Sequence, residues 1–340
     1  MKKRSLQSGL SLVEIMVALV IGLFLVVGVI QVYSANNHTF RFAEAVSRAQ
    51  ESGRFAIDMI AQDLRAGSFW GCAFFNPSNT GGLVNNLNTA GNGYNAVLHD
   101  FIGRGSLEGS NNDGLNDSDS LTVRGAKRRA ASVKIPYNTP TSEPIHIDDT
   151  DTIDTGDIVI ISNCEGADIF QVSGTGAGST SGLMSLSHVT GGAGTPGNAN
   201  VGACSGVGNA HCLSRTYGGD SIVSELQTVQ YSIAAGANGQ PSLWRSENGT
   251  NEELIDGVAE MQILYGVDPD NDGSVNQYLT SNAVSDMNTV NAVRVMLLIE
   301  SADDGIVEAP QTYRFNGEDI TATDNRLRQV FSTTIGLRNR

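Results

Sequence analysis

Residues 10–32 form an apolar run in which the only strongly polar residues are Glu14 and Gln31. A helix needs about 20 apolar residues to cross the hydrocarbon core of a bilayer, and this run supplies them. Lys2, Lys3 and Arg4 precede it, and basic flanks stay cytoplasmic, which directs the C-terminal bulk outward. Glu14 is the constraint that separates the readings of this segment. An ionisable group within an apolar span costs on the order of a few kcal/mol and marks a functional position. A secretory signal peptide would need a small-x-small cleavage site after the run. Ala35 offers the residue before such a cut, but Tyr33, two positions earlier, is too bulky. A plain single-pass anchor explains the length and leaves Glu14 without a role. A third reading cuts the chain in front of the run, so that Glu14 lies five residues in from a new N-terminus.

The string Gly9-Leu10-Ser11-Leu12-Val13-Glu14 resembles the cleavage motif of type IV prepilins. The resemblance implies that residues 1–9 are a leader, that a prepilin peptidase cuts after Gly9, and that Leu10 is then N-methylated. Leucine at that position departs from the phenylalanine more usual in the family. Residues 10–33 become a transmembrane and filament-core helix. The resemblance also gives Glu14 a partner, the N-terminal amine of a neighbouring subunit. Each charge is costly alone in a low-dielectric core, and they offset each other when paired. Such a head-to-tail contact is heterologous and does not close, so it generates a helical filament. The simpler alternative has Glu14 snorkelling to the interface as a helix-end charge.

The helix continues beyond the apolar run. Ala43, Val46, Ala49, Gly53, Ile57, Ile60 and Leu64 recur at spacings of three and four, with Glu44, Arg48, Glu51, Arg54, Asp58 and Asp63 on the opposite face. That is an amphipathic stripe, which makes residues 34–67 a continuation ended by Gly67. Gly22, Gly28 and Gly53 are places where it could bend. Residues 68–340 change character, to short strands and loops. Strands are expected over 121–124, 157–162, 168–173, 183–187, 226–233, 242–245, 258–267, 292–299, 311–315 and 328–337, several of them alternating as in Val229-Gln230-Tyr231-Ser232-Ile233. Without helical crossovers between them, antiparallel sheets follow. The Gly/Ser/Thr/Asn-rich stretches 76–116, 174–182 and 191–208 read as loops. The fold class is α+β: a long N-terminal helix packed on antiparallel sheets with long Gly/Asn-rich loops.

Gln50-Glu51-Ser52-Gly53-Arg54-Phe55-Ala56, then Asp63-Leu64-Arg65 and Gly71-Cys72, then Arg326-Leu327-Arg328-Gln329-Val330-Phe331 with Leu337-Arg338-Asn339, resemble minor pilins of the PilW type. Pseudopilin J of type II secretion shares related N-terminal features in a shorter chain. The resemblance implies a pilin-like fold and a structural subunit that helps initiate or cap a type IV pilus. It implies inner-membrane storage with the C-terminal domain periplasmic, followed by entry into the pilus. Other minor and major pilins, and a tip adhesin, are the expected partners. A type II pseudopilin and a membrane-anchored extracytoplasmic binding protein are the alternatives.

The rest of the chain narrows these expectations. The formal charge of −15 becomes −18 once the three positive charges of the leader are lost, so phosphate repulsion argues against general nucleic-acid binding. Cys72, Cys164, Cys204 and Cys212 all follow the apolar run, and oxidising compartments favour disulfides. Three pairings are open. Cys204–Cys212 as a short loop closure, with Cys72–Cys164 as a long-range staple, is the favoured set, and a zinc site is the competing reading. Asp268, Asp270 and Asp272, in Asp268-Pro269-Asp270-Asn271-Asp272-Gly273, match the first half of a calcium loop. Position twelve of that loop is Leu279 rather than Glu, and Asn276 stands at position nine. The alternative is a solvated acidic hairpin loop. Asn111, Asn112, Asp113, Asn116, Asp117 and Asp119 make a second, weaker acidic loop. Arg124, Lys127, Arg128 and Arg129 read as a solvated basic loop, with contact to an acidic partner pilin or a phosphate backbone as the rival. The histidines His38, His99, His146, His188 and His211 are scattered, and no GxSxG, HExxH or P-loop occurs. The expectation is a protein that acts by packing and not by catalysis.

Overall fold

A computed structural model describes residues 12–67, 69–71, 82–91, 93–139, 141–148, 153–178, 180, 182–191, 194–199 and 211–337. Helix α1 (Leu12–Ala66) runs unbroken for 55 residues, about 83 Å at 1.5 Å per residue. Gly22, Gly28 and Gly53 lie within it without ending it. Its buried residues, Ala49, Gly53, Ala56, Ile60, Ala61 and Leu64, fall on the three-and-four spacing that puts side chains on one face. Gly67 closes the helix by donating to Asp63 O at 2.8 Å.

Seventeen strands and a four-residue helix follow among the described residues: β1 (Leu83–Asn85), α2 (Ala96–His99), β2 (Leu107–Ser110), β3 (Ser120–Lys134), β4 (Ile145–Ile147), β5 (Ile158–Asn163), β6 (Gly166–Gln171), β7 (Gly174–Ala177), β8 (Met184–Ser187), β9 (Ile222–Ala235), β10 (Pro241–Glu247), β11 (Thr250–Asp256), β12 (Val258–Val267), β13 (Gln277–Leu279), β14 (Val290–Glu300), β15 (Thr312–Phe315), β16 (Glu318–Thr321) and β17 (Arg328–Gly336). A large sheet takes the order β1-β6-β5-β9-β3-β4-β8-β7, with β10 and β11 continuing from β9 and β2 pairing with β3. A second sheet takes the order β13-β12-β14-β17, and β15–β16 is a separate hairpin.

One core joins α1 to both sheets. It contains Ala49, Ala56, Ile60 and Leu64 of the helix, Leu121, Val123, Val229, Tyr231 and Leu243 of the large sheet, and Met261, Ile263, Val295, Leu297 and Ile335 of the second. The other face of the second sheet, with Met296 and Leu298, is covered by Phe315, Tyr313 and Ile320 of the hairpin. Residues 112–119 bind the sheets to each other. Asp119 N–H donates to Met261 O at 2.8 Å, and Ile263 N–H donates to Asp119 Oδ2 at 2.7 Å.

The class is the α+β arrangement expected. Several details differ. Within the stretch 76–116, read as loop, residues 83–85 and 107–110 form β1 and β2 and residues 96–99 form α2. The pair β1–β6 is parallel, because the long connection of residues 86–165 returns the chain to the same sheet end; the other strand pairs among the described residues are antiparallel. Residues 174–177, read as loop for their glycines, form β7 against β8. Residues 127–129, read as part of a basic loop, lie inside β3, where the register with β9 shifts between Ala126 and Ala130. A bulge places an extra residue on one strand and re-aims its side chains, which accommodates Lys-Arg-Arg within a strand.

Candidate functional site

The N-terminal half of α1 is the most exposed apolar feature among the described residues. Leu19, Leu23 and Phe24 are 68%, 68% and 73% exposed, and Leu12, Val20, Ile21, Leu25, Val29 and Tyr33 are exposed as well. No residue of its most apolar stretch is buried against the protein, and the helix is long and apolar enough to cross a membrane. Residues 12–33 span about 33 Å, close to the roughly 30 Å of a hydrocarbon core. An apolar surface this continuous requires a non-aqueous cover, either lipid or other apolar helices. Glu14 sits in the first turn of α1, where a negative charge is favoured by the helix dipole. Gly9 and Leu10 lie outside the described residues.

The C-terminal half is held in a seat. Gly53 lies directly under the Phe331 ring of β17, so that a Cβ there would collide with it. Tyr231 OH donates to Asp63 Oδ2 at 2.5 Å, and Arg245 Nε donates to the same oxygen at 3.0 Å. Arg245 Nη1 reaches Glu247 at 2.7 Å, and Lys127 Nζ bridges Glu225 and Glu247 at 2.8 and 3.2 Å. Burial and the Asp63 carboxylate together push the Tyr231 hydroxyl well above its ordinary pKa, which keeps it a donor. The helix is thereby fastened by packing and by a charge-assisted hydrogen-bonded cluster.

This arrangement corrects the reading of the basic cluster. Arg124 is fully buried; its guanidinium donates to Val97 O at 2.8 Å and to Glu108 at 2.6 Å. Lys127 is committed to Glu225 and Glu247. Arg128 and Arg129 are exposed, whereas Arg124 and Lys127 serve the fold. The second acidic loop is structural too. Both Asp119 oxygens accept backbone N–H groups, from Asn112 at 3.0 Å and Ile263 at 2.7 Å, and burial pushes its pKa up.

Asp268, Asp270 and Asp272 do converge, each offering an oxygen within 4.8 Å of the others. Asp268 also organises the turn itself, accepting from Asp272 N–H at 3.1 Å, Gly273 N–H at 2.9 Å and Asn291 Nδ2 at 2.5 Å. Gly273 takes a φ of 89°, in the left-handed region that glycine adopts freely. Three carboxylates in this geometry suit a hard divalent cation.

Cys164 and Cys212 are disulfide-bonded, while Cys72 and Cys204 lie outside the described residues. The first two therefore offer no thiolate to zinc. Beside Cys212 the fold brings together two histidines that sequence separation hid: His188 Nδ1 and His211 Nδ1 are 3.0 Å apart, and His188 Nε2 lies 3.0 Å from Glu143 O. Both rings are buried. Burial lowers the pKa of each, that of His211 to about 4, with His188 adding to the shift. Nearby, the fully buried Asp168 accepts from Asn86 Nδ2 at 2.8 Å and from Ser214 Oγ and Tyr217 OH at 2.7 Å each.

Residues 230–339 match the model of the family described as type IV pilus-assembly protein W, PilW. The matched stretch contains the last six residues of β9 and all of β10 through β17, and so supplies Tyr231, Arg245 and Phe331 to the seat of α1. No curated protein and no solved structure matches the chain. A helix long and apolar enough to span a membrane, in a chain whose last third matches this family, relates the protein to type IV pilus assembly.

Proposed function

We propose that the chain is a minor pilin, a structural subunit that helps initiate or cap a type IV pilus after its leader is cut between Gly9 and Leu10. The observation that carries this reading is the bare apolar half of α1, with Glu14 in its first turn, rigidly continuous with a half seated on the PilW-matched sheet. In a membrane the bare half is an anchor. In a filament the same surface packs against apolar helices of neighbouring subunits, and Glu14 neutralises an N-terminal ammonium there. The exported domain follows the anchor to the periplasmic side and then into the pilus. The work done is assembly by packing, with no catalytic step. The favoured cysteine pairs, Cys72–Cys164 and Cys204–Cys212, would fix the loops of the large sheet in that oxidising compartment.

The test is the intact mass of the chain purified from membranes. A mass lacking residues 1–9 and carrying one added methyl group supports the reading. An intact Met1, or a start after Ala35, contradicts it. Deletion of the gene then separates a pilus subunit, whose loss abolishes piliation, from a type II pseudopilin, whose loss abolishes enzyme secretion.

A further inference from the structure

The second sheet ends on an open strand. β17 is an edge, paired on one side with β14 from Ala292↔Gly336 to Glu300↔Arg328, with no register shift. Leu337 N–H continues that ladder by donating to Asn291 O at 2.9 Å. In an antiparallel pair, alternate residues direct their backbone groups towards the partner and away from it. Residues 329, 331, 333, 335 and 337 therefore face β14. The N–H and C=O groups of Val330, Ser332, Thr334 and Gly336 face outward. Arg328 shares the outward set, and its N–H is met by Gln311 Oε1 at 2.6 Å. Beyond that first position, no protein group meets the outward N–H groups among the described residues.

Among the described residues the other edge strands are short or charged. β1 and β13 have three residues each, and β2, β7, β15 and β16 four each. β11 has seven but carries Glu252, Glu253 and Asp256. Shortness and charge are the usual protections against strand addition. β17 has nine residues, with neither proline nor lysine, and its one charge, Arg328, is at the end. The exposed side chains beside the open groups are Val330, Ser332 and Thr334, an uncharged strip on a chain of net charge −15.

We infer that the outer edge of β17 is a docking site for an extended segment of a different protein, which adds a strand to the second sheet. Only an extended polypeptide offers a matching ladder of donors and acceptors. The neutral strip selects a segment whose neighbouring side chains are uncharged and small or β-branched. A second copy of this chain is disfavoured as the occupant, because it would bring another −15 charges to the contact. The site adjoins the seated half of α1, whose Gly53 lies under the Phe331 ring of the same strand.

The test uses the full chain in its own cells, with a photoreactive amino acid replacing Ser332 or, separately, Thr334. The expected result is an adduct from each position to one segment of a different protein, with the two attachment points two residues apart. Ser332→Pro, introduced into the Thr334-labelled chain, removes one outward N–H without touching the ladder to β14. It should cut the adduct about tenfold, the equivalent of a hydrogen bond and its strand register, at an unchanged melting temperature. Ser332→Lys, which keeps the backbone intact and guards the edge with charge, should do the same and replaces the proline variant if that one misfolds. No adduct, an adduct only to a second copy, attachment points without the two-residue spacing, or an adduct undiminished by the lysine variant would overturn the inference. The deletion phenotype tests the pilus role separately, since the cross-link is read whether or not pili depend on the chain.

Discussion

The two halves of α1 share one backbone geometry and differ in what surrounds them. Residues 12–33 present large apolar side chains in every direction, whereas residues 49–64 alternate buried Ala, Gly, Ile and Leu with exposed Arg, Glu and Asp. The lower half is satisfied within its own chain, by the core and by the Asp63–Tyr231–Arg245 contacts. The upper half contributes no burial to that core. Intrinsic propensity does not explain the division, since the Val- and Ile-rich upper half is the poorer helix former and is helical all the same; what distinguishes the halves is the solvent each is written for.

The largest predicted effect tests this division directly. Ile60→Ala, at a fully buried position, should cost about 2–4 kcal/mol in denaturant unfolding of the domain, while Val20→Ala should stay within about 0.5 kcal/mol. Equal losses would show that the upper half packs on the domain after all. Next, Gly53→Val should cost about 1–3 kcal/mol by driving a side chain into the Phe331 ring, and adding Phe331→Leu should recover part of it. Additive losses in that double variant would mean that the two residues do not meet.

Acid should produce a smaller effect in a different place. His188 and His211 have folded pKa values below the ordinary histidine value of 6.5, that of His211 about 4. The unfolded chain then binds protons first, so stability is full above about pH 6.5 and declines as pH falls towards about 4. Asp168 opposes the shift in both rings. Hydrogen exchange should show residues 211–221 loosening before the seat of α1 does, and His211→Asn should flatten the decline. A pH profile unchanged by that substitution would remove the pair from the account. The smallest effect belongs to the Asp268 loop. Millimolar calcium should raise the melting temperature by a few degrees at most, and Asp270→Ala should abolish the rise; heat-free titration with no shift would leave the turn to its own hydrogen bonds.

The two-solvent helix was legible because its signals are local: an unbroken apolar run, then apolar residues every three or four positions. The long strands β9, β12 and β14 were legible for the same reason, through alternation or apolar density. The polar edge strand β11, Thr250–Asp256, has no such alternation and is a strand because β10 templates it. Lys127 and Arg128 looked like a loop because charge density is a statistical cue, whereas the pairing of β3 with β9 on either side of them holds the strand, and the Glu225 and Glu247 carboxylates hold Lys127. The burial of Arg124 depends on Val97 and Glu108, and the meeting of His188 with His211 on the segments that follow β8 and precede β9. Neither contact has a periodic signature. Glu14 was singled out by its cost in an apolar run, which is a local signal as well.

The central claim is that the upper half of α1 is a surface for assembly, with Glu14 as its charge-pairing element. The measurement that tests it most directly is the amount of a Glu14→Ala chain in sheared pili relative to membranes. The account predicts a chain that still loses its leader, remains in the membrane and melts at the same temperature, yet is depleted from the filaments. Incorporation at the level of the unsubstituted chain would contradict it.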